Sequence, residues 1–106
     1  MKIGLNDKMS PREQVAEALM ETCVFGGLTD AYGVIKARST ANGKTYWSVT
    51  FCKARDLDGV IRIYSERFIL IQWKTRYKSL PHTGQQKFIS ERQAKDFMCL
   101  HFINKG

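Results

Sequence analysis

The segment Lys44–Arg55 reads KTYWSVTFCKAR, and large apolar side chains fill every second position in its middle. Trp47, Val49 and Phe51 form this apolar set, with more polar or smaller residues between them. Successive side chains of a strand point to opposite faces of a sheet, so the pattern predicts a strand with one buried face. Asn42-Gly43 comes directly before the segment and supplies the positive backbone angles that a tight hairpin turn requires. The segment is therefore predicted to be the second strand of a hairpin.

Alternation continues on both sides of this hairpin strand. The predicted strands cover residues 32–39, 44–55, 60–65 and 67–77, with turns at 40–43 and 56–59. The last two segments are either two strands or one long strand with a bulge near Ser65-Glu66. Pro81 and Gly84 then interrupt the pattern, so residues 78–86 are predicted to be a loop.

A helix is predicted at each end of this strand region. Capping-box sequences begin at Ser10 and Ser90 and predict helices over residues 10–25 and about 91–103. The order α-β-β-β-β-α predicts a single α+β domain over residues 1–106, with an antiparallel four-stranded sheet. Both helices are expected to pack on one face of the sheet, which leaves the other face open to water or a partner.

The positive charge of the chain is concentrated between the two predicted helices. The 106 residues carry 17 Lys and Arg against 10 Asp and Glu, a net charge of +7. Residues 31–89 hold eleven Lys and Arg and three Asp and Glu, a net charge of +8. A clustered positive field attracts polyanions, so the asymmetry predicts the sign of the partner.

Composition also bears on where the protein works. The N-terminal residues lack the apolar run of a signal peptide, and the longest apolar run, Phe68–Ile71, is too short to span a membrane. Cys23, Cys52 and Cys99 are odd in number and lie within apolar patterns, which favours reduced thiols over a disulfide framework. We therefore expect a cytoplasmic protein with no membrane partner.

Strand alternation places cations and tyrosines on the sheet face that the helices would leave open. This predicted surface consists of Lys36, Arg38, Tyr46, Arg62, Tyr64, Gln72, Lys74 and Arg76. Lys78 and Lys87 extend it into the adjoining loop. Cations neutralise phosphates and tyrosine rings stack on unpaired bases, so a single-stranded nucleic acid suits this surface. The alternative interpretation is that outward Lys and Arg residues keep the sheet soluble and protect its edges.

Residues for catalysis or metal binding do not form a recognisable pattern. The two histidines, His82 and His101, have no cysteine or carboxylate at metal-ligand spacing, and the sequence contains no Cys-x-x-Cys. Cys99 and His101 are two positions apart, which puts them on different faces of a helix. The sequence therefore predicts neither a catalytic residue, a metal nor a cofactor.

Two functions fit these observations. The first is a small non-enzymatic nucleic-acid-binding module that uses the basic, tyrosine-containing open face and the adjoining loop. The second is a stand-alone interaction or inhibitor protein, of the kind encoded by phages and mobile elements. Such a protein would dock the same basic surface on an acidic surface of another protein, such as nucleic-acid-processing machinery.

Overall fold

The protein is an α+β fold in which, within the described residues, an antiparallel sheet lies between two helices along the chain. The computed structural model describes residues 10–28, 35–37, 46–53, 55–64 and 68–103. The elements are α1 (Pro11–Phe25), β1 (Ile35–Ala37), β2 (Tyr46–Lys53), β3 (Leu57–Tyr64), β4 (Ile69–Thr75), β5 (Thr83–Phe88) and α2 (Glu91–Met98). The strands pair in the order β1-β2-β3-β4-β5, each antiparallel to its neighbour. The predicted fold class is confirmed, and each of the four predicted strands has a counterpart in the sheet.

Helix α1 is bounded by the two signals that its sequence contains. The Ser10 hydroxyl accepts a hydrogen bond from the Glu13 amide at 3.2 Å, which satisfies one of the free donors of the first turn. At the other end Gly27 adopts a φ of 76°, and the Leu28 amide donates to the Cys23 carbonyl at 2.8 Å. This left-handed glycine closure lets the chain reverse and buries Leu28 completely.

The core forms between the helices and one face of the sheet. Val49, Ile61 and Ile71 lie opposite one another on β2, β3 and β4, and each is 0% exposed. Helix α1 contacts β2 and β3, α2 contacts β4 and β5, and the two helices contact each other. Fully burying one such aliphatic side chain stabilises a fold by about 1.5–3 kcal/mol. Both helices therefore pack on the same face, as the sequence predicts.

A fifth strand occupies the second part of the segment for which the sequence predicts a loop, residues 83–86. β5 pairs with β4 from Thr83 to Phe88, so the loop prediction is wrong from residue 83 onward. Gly84, which suggests a loop by composition, instead lies beneath the indole of Trp73. A Cβ at Gly84 would come within 2.5 Å of Trp73 Cζ2, so the glycine makes room for the ring.

The turn between β2 and β3 lies earlier than predicted. The sequence favours a turn over residues 56–59, but β3 already begins at Leu57. The Asp56 amide donates to the Lys53 carbonyl at 3.1 Å, so the turn is closed at Asp56, the residue before β3. Leu57 is 1% exposed, so burial of its side chain extends the strand into a sequence rich in turn formers.

The closing helix changes its winding after Met98. The Ser90 hydroxyl caps α2 by accepting from the Gln93 amide at 3.2 Å, and residues 99–103 continue as a π-helical turn. Met98 and Phe102, both fully buried, are four residues apart. In an α-helix of 3.6 residues per turn, four residues overshoot one turn by about 40°. The wider π turn reduces this overshoot and keeps Phe102 above the sheet.

Candidate functional site

The candidate site is the sheet face opposite the helices, which we call the open face. Its positions follow from the strand register and are, from β2 to β5, Tyr46, Ser48, Thr50, Cys52, Asp58, Val60, Arg62, Tyr64, Leu70, Gln72, Lys74, Thr83, Gln85 and Lys87. Within the residues that the structure describes, no helix contacts the sheet from this side. The open face therefore offers four neighbouring strands to a partner.

Three aromatic rings form a row at one end of the open face. The ring centroids of Tyr46 and Tyr64 are 5.1 Å apart across the β2–β3 ladder, with an interplanar angle of 45°. Phe68, just before β4, stacks on Tyr64 with centroids 4.8 Å apart and an angle of 20°. All three side chains are partly exposed. We call Tyr46, Tyr64 and Phe68 the aromatic cluster.

Two cations lie against this aromatic cluster. The guanidinium carbon of Arg62 is 5.5 Å from the centroid of the Tyr46 ring, and Lys87 Nζ is 4.3 Å from that of Phe68. Both separations are within the range of cation–π attraction. The cations are thus positioned at the rings, so a phosphate and a base of the same ligand can be engaged side by side.

A chain of side-chain hydrogen bonds crosses the middle of the open face. Arg62 donates to the Gln72 amide oxygen, and Gln72 Nε2 donates to Gln85 Oε1 at 3.1 Å. This chain joins β3, β4 and β5 and restricts the rotamers of its members. A cation that is already held in place loses less conformational entropy when it binds a ligand.

The charge of the open face is positive at the aromatic end. Among its described positions Asp58 is the only carboxylate, and it lies six residues along β3 from Tyr64. At about 3.3 Å per residue this separation is about 20 Å, which exceeds the Debye length of about 8 Å at physiological salt. Arg62 is four residues from Asp58, about 13 Å, and Lys87 lies in the same row as Arg62. Both are beyond the Debye length from Asp58, which therefore does not neutralise the field there.

The structure brings together most of the residues that the sequence singles out. Tyr46, Arg62, Tyr64, Gln72 and Lys74 lie on the open face as alternation predicts. Lys87 also lies on this face, although on strand β5 rather than in a loop. Phe68 is not among the residues predicted from the sequence. Strand alternation would have placed it on the open face, because it lies two residues before Leu70 and four before Gln72.

The four other predicted residues lie on β1, after β4 or outside the described residues. Lys36 lies on β1, where its backbone pairs with Trp47 of β2. Arg38 lies outside the described residues. Arg76 and Lys78 are exposed and follow the end of β4.

The histidines and the buried cysteine have structural surroundings. His82 Nδ1 lies 2.9 Å from the Thr75 carbonyl oxygen, and the His101 ring packs on Phe97 with centroids 4.7 Å apart. Burial raises the pKa of the Cys23 thiol to about 12, so the nucleophilic thiolate is scarce at neutral pH. No group of three His, Cys, Asp or Glu residues in the described chain could hold a metal ion.

Family models, curated proteins and solved structures give no match to this chain. None of the helices in the described residues is long and apolar enough to cross a membrane.

Proposed function

We propose that the protein is a small, non-enzymatic module that binds single-stranded nucleic acid on its open face. One observation carries the proposal: the aromatic cluster lies on the same exposed surface as two cations that contact its rings. Nucleic acid is the ligand class that presents phosphates and planar rings in alternation. Such pairing of stacking platforms with a basic track is typical of single-strand binding.

Each group on the surface has a defined part in this binding. Arg62 and Lys87 neutralise phosphates, and the exposed parts of Tyr64 and Phe68 stack on bases. Stacking of one base on an aromatic side chain contributes about 1–3 kcal/mol. Every base has a stacking face, so we expect tolerance of sequence rather than readout of particular bases.

Single strands are favoured over duplexes because of what the rings require. In a duplex the base faces are stacked on one another and are closed to the aromatic cluster. Only the phosphates would then remain for the cations of the open face. We therefore propose that duplex DNA binds more weakly and mainly through charge.

The compartment is part of the same proposal. Cys23, Cys52 and Cys99 form no disulfide, as expected in a reducing environment such as the cytoplasm. Nucleic acid is accessible in that compartment, so the proposed ligand and the proposed location agree.

The experiment compares mixed-sequence single- and double-stranded oligonucleotides of equal length by fluorescence anisotropy at low salt. The informative variant is Tyr64→Leu, which keeps an apolar side chain but removes the ring. We expect it to lose roughly ten-fold in single-strand affinity, or about 1.4 kcal/mol, and little in duplex affinity. Phe25→Leu is the matched control, because Phe25 is 79% exposed on α1, the helix on the far side of the sheet.

Two outcomes would contradict the proposal. One is equal single-strand affinity of Tyr64→Leu and Phe25→Leu. The other is an absence of oligonucleotide binding at low salt. The second outcome would favour the alternative of a protein partner with an acidic surface, for which partly exposed Val60 and Leu70 between the cations would supply apolar contacts.

A further inference from the structure

A second group of cations lines a pocket at the end of the sheet away from the aromatic cluster. The pocket has a volume of about 260 Å³ and is lined by Arg55, Asp58, Lys74, Thr75, Arg76 and His82. Arg55 comes from the turn between β2 and β3, Lys74 and Thr75 from the end of β4, and His82 from the residue before β5. Three chain segments that are distant in sequence thus supply its walls.

Hydrogen bonds fix these segments relative to one another. The Asp56 carbonyl accepts from Thr75 Oγ1 and from the Arg76 amide, both at 2.9 Å. The Thr75 amide donates to the His82 carbonyl at 2.7 Å, and the His82 ring nitrogen Nδ1 lies 2.9 Å from the Thr75 carbonyl oxygen. Thr75 is 2% exposed and holds the centre of this arrangement. The backbone that carries the pocket residues is therefore held in place by these hydrogen bonds.

The charges of the pocket are unbalanced. Arg55, Lys74 and Arg76 contribute three positive charges, and Asp58 contributes one negative charge. Within the described part of the chain, none of these four side chains lies within ion-pair distance of an opposite charge. Neighbouring like charges repel, so the pocket favours an anion that can contact several cations at once.

The size of the pocket agrees with a polyatomic anion. A water molecule occupies about 30 Å³ in the liquid, so the pocket is several times larger than a water site. Arginine presents a planar fork of donors that matches phosphate oxygens, and the pocket contains two arginines. We infer that this pocket binds a phosphate group.

The source of the phosphate is the one step that depends on the proposed function. The pocket begins at Asp58, which lies six residues along β3 from Tyr64, about 20 Å away. A stacked strand advances about 3.4 Å per nucleotide, so about six nucleotides span this distance. A strand whose bases stack on the aromatic cluster can thus place a phosphate of its other end in the pocket.

The pocket is tested first with inorganic phosphate alone. In ¹H–¹⁵N spectra at constant ionic strength, we expect saturable shifts of the Thr75 and Arg76 amides. The Arg76→Gln variant should lose these shifts, and Arg92→Gln, which removes an exposed arginine of α2, should keep them. Shifts that do not saturate, or that remain in Arg76→Gln, would overturn the inference.

The source of the phosphate is tested with hexanucleotides that carry a 5′-phosphate, a 3′-phosphate or neither, and with a nucleoside monophosphate. One phosphate-ended hexamer should bind about ten-fold tighter than the unphosphorylated hexamer, and Arg76→Gln should abolish this gain. A pocket that binds the nucleoside monophosphate with no gain for either phosphate-ended hexamer would assign the site to a free nucleotide. Phosphate shifts without hexamer binding would refute the proposed function and leave the pocket standing. Hexamer binding without phosphate shifts would refute the phosphate pocket and leave the proposed function standing.

Discussion

The close packing of Gly59 against its neighbours gives a direct test of the sheet register. Gly59 pairs with Phe51 on one side and with Trp73 on the other. A Cβ at this position would meet the Gln72 carbonyl oxygen and would lie 2.5 Å from Phe51 Cζ. Both atoms belong to the packed part of the sheet, so Gly59→Ala must move either a ring or a backbone.

The size of the effect follows from these contacts. Ordinary van der Waals contact of a Cβ begins at 3.4 Å, so the Phe51 ring would have to move by about 0.9 Å from its 2.5 Å position. Phe51 is 2% exposed and packs on Phe102 with centroids 5.4 Å apart, which leaves little room for this shift. Overpacking lowers the stability by about 1–3 kcal/mol. Alanine also reduces the conformational entropy of the unfolded chain relative to glycine, and this offsets about 0.4–1 kcal/mol of the loss. The two nearest contacts of the added Cβ are both shorter than 3.0 Å, so the overpacking penalty lies at the upper end of its range and the net loss for Gly59→Ala is about 2 kcal/mol.

Chemical and thermal unfolding monitored by circular dichroism measures this loss. For a domain of this size, 2 kcal/mol corresponds to a fall in Tm of roughly 10 °C. Gly27→Ala is the matched control, because among the described residues beyond its chain neighbours no atom lies within 4 Å of the added Cβ, and the φ of 76° opposes the change. That backbone strain costs about 1–2 kcal/mol, and the same offset of about 0.4–1 kcal/mol applies, so the control should lose less stability than Gly59→Ala. A Gly59→Ala protein that is more stable than Gly27→Ala would refute the packing and register described here.

Three further predictions concern single side chains. At pH 8 an alkylating reagent should modify exposed Cys52 in the folded protein and reach buried Cys23 only on unfolding, since burial raises the pKa of Cys23 to about 12. Equal labelling rates of the two cysteines, measured by mass spectrometry of peptides, would contradict this. Burial, with a further contribution from Asp56, raises the pKa of Tyr77, so Asp56→Asn should lower that pKa in an NMR titration of the ring. The stability that neutral Tyr77 contributes is present below the ordinary tyrosine pKa. It is lost as the pH rises through the raised pKa of the folded protein. Phe25→Ser should change the free energy of unfolding by less than about 0.5 kcal/mol, because the ring is 79% exposed, and a larger loss in denaturant titration would show that the ring is packed.

The parts of the fold that the sequence predicts correctly are those with local causes. The Ser10 and Ser90 caps form because a hydroxyl reaches an amide three residues later, which needs no other part of the chain. The inward position of Val49 and Phe51 follows from strand alternation against a single apolar core. These signals act over a few residues, so a linear sequence contains them in full.

The parts that the sequence predicts wrongly depend on contacts between distant segments. β5 contains Gly84 and four polar residues, and its pairing with β4 comes from backbone groups that composition does not reveal. The early start of β3 depends on burial of Leu57 and on its pairing partner Thr75, whose hydroxyl donates to the Asp56 carbonyl from 19 positions away. The role of Phe68 depends likewise on the neighbouring ring of Tyr64 across the ladder.

The sequence predicts which residues lie on the open face, but not how they pair across strands. Alternation within each strand is enough to put Arg62 and Lys74 on one face. It does not give the register between strands, which brings Arg62 close to Tyr46 and Lys87 close to Phe68. The sequence thus predicts the charge of the surface, and the structure adds its pairing of cations with rings.

The most direct test of the central claim is the salt dependence of single-strand binding in an Arg62→Gln, Lys87→Gln double variant. Each phosphate contact contributes a slope of about −0.7 to the plot of log affinity against log salt concentration. The double variant should therefore have a slope shallower than wild type by about 1.4, while Arg92→Gln, which leaves the open face intact, keeps the wild-type slope. An unchanged slope in the double variant would contradict the claim that the open face binds the phosphates of a nucleic acid.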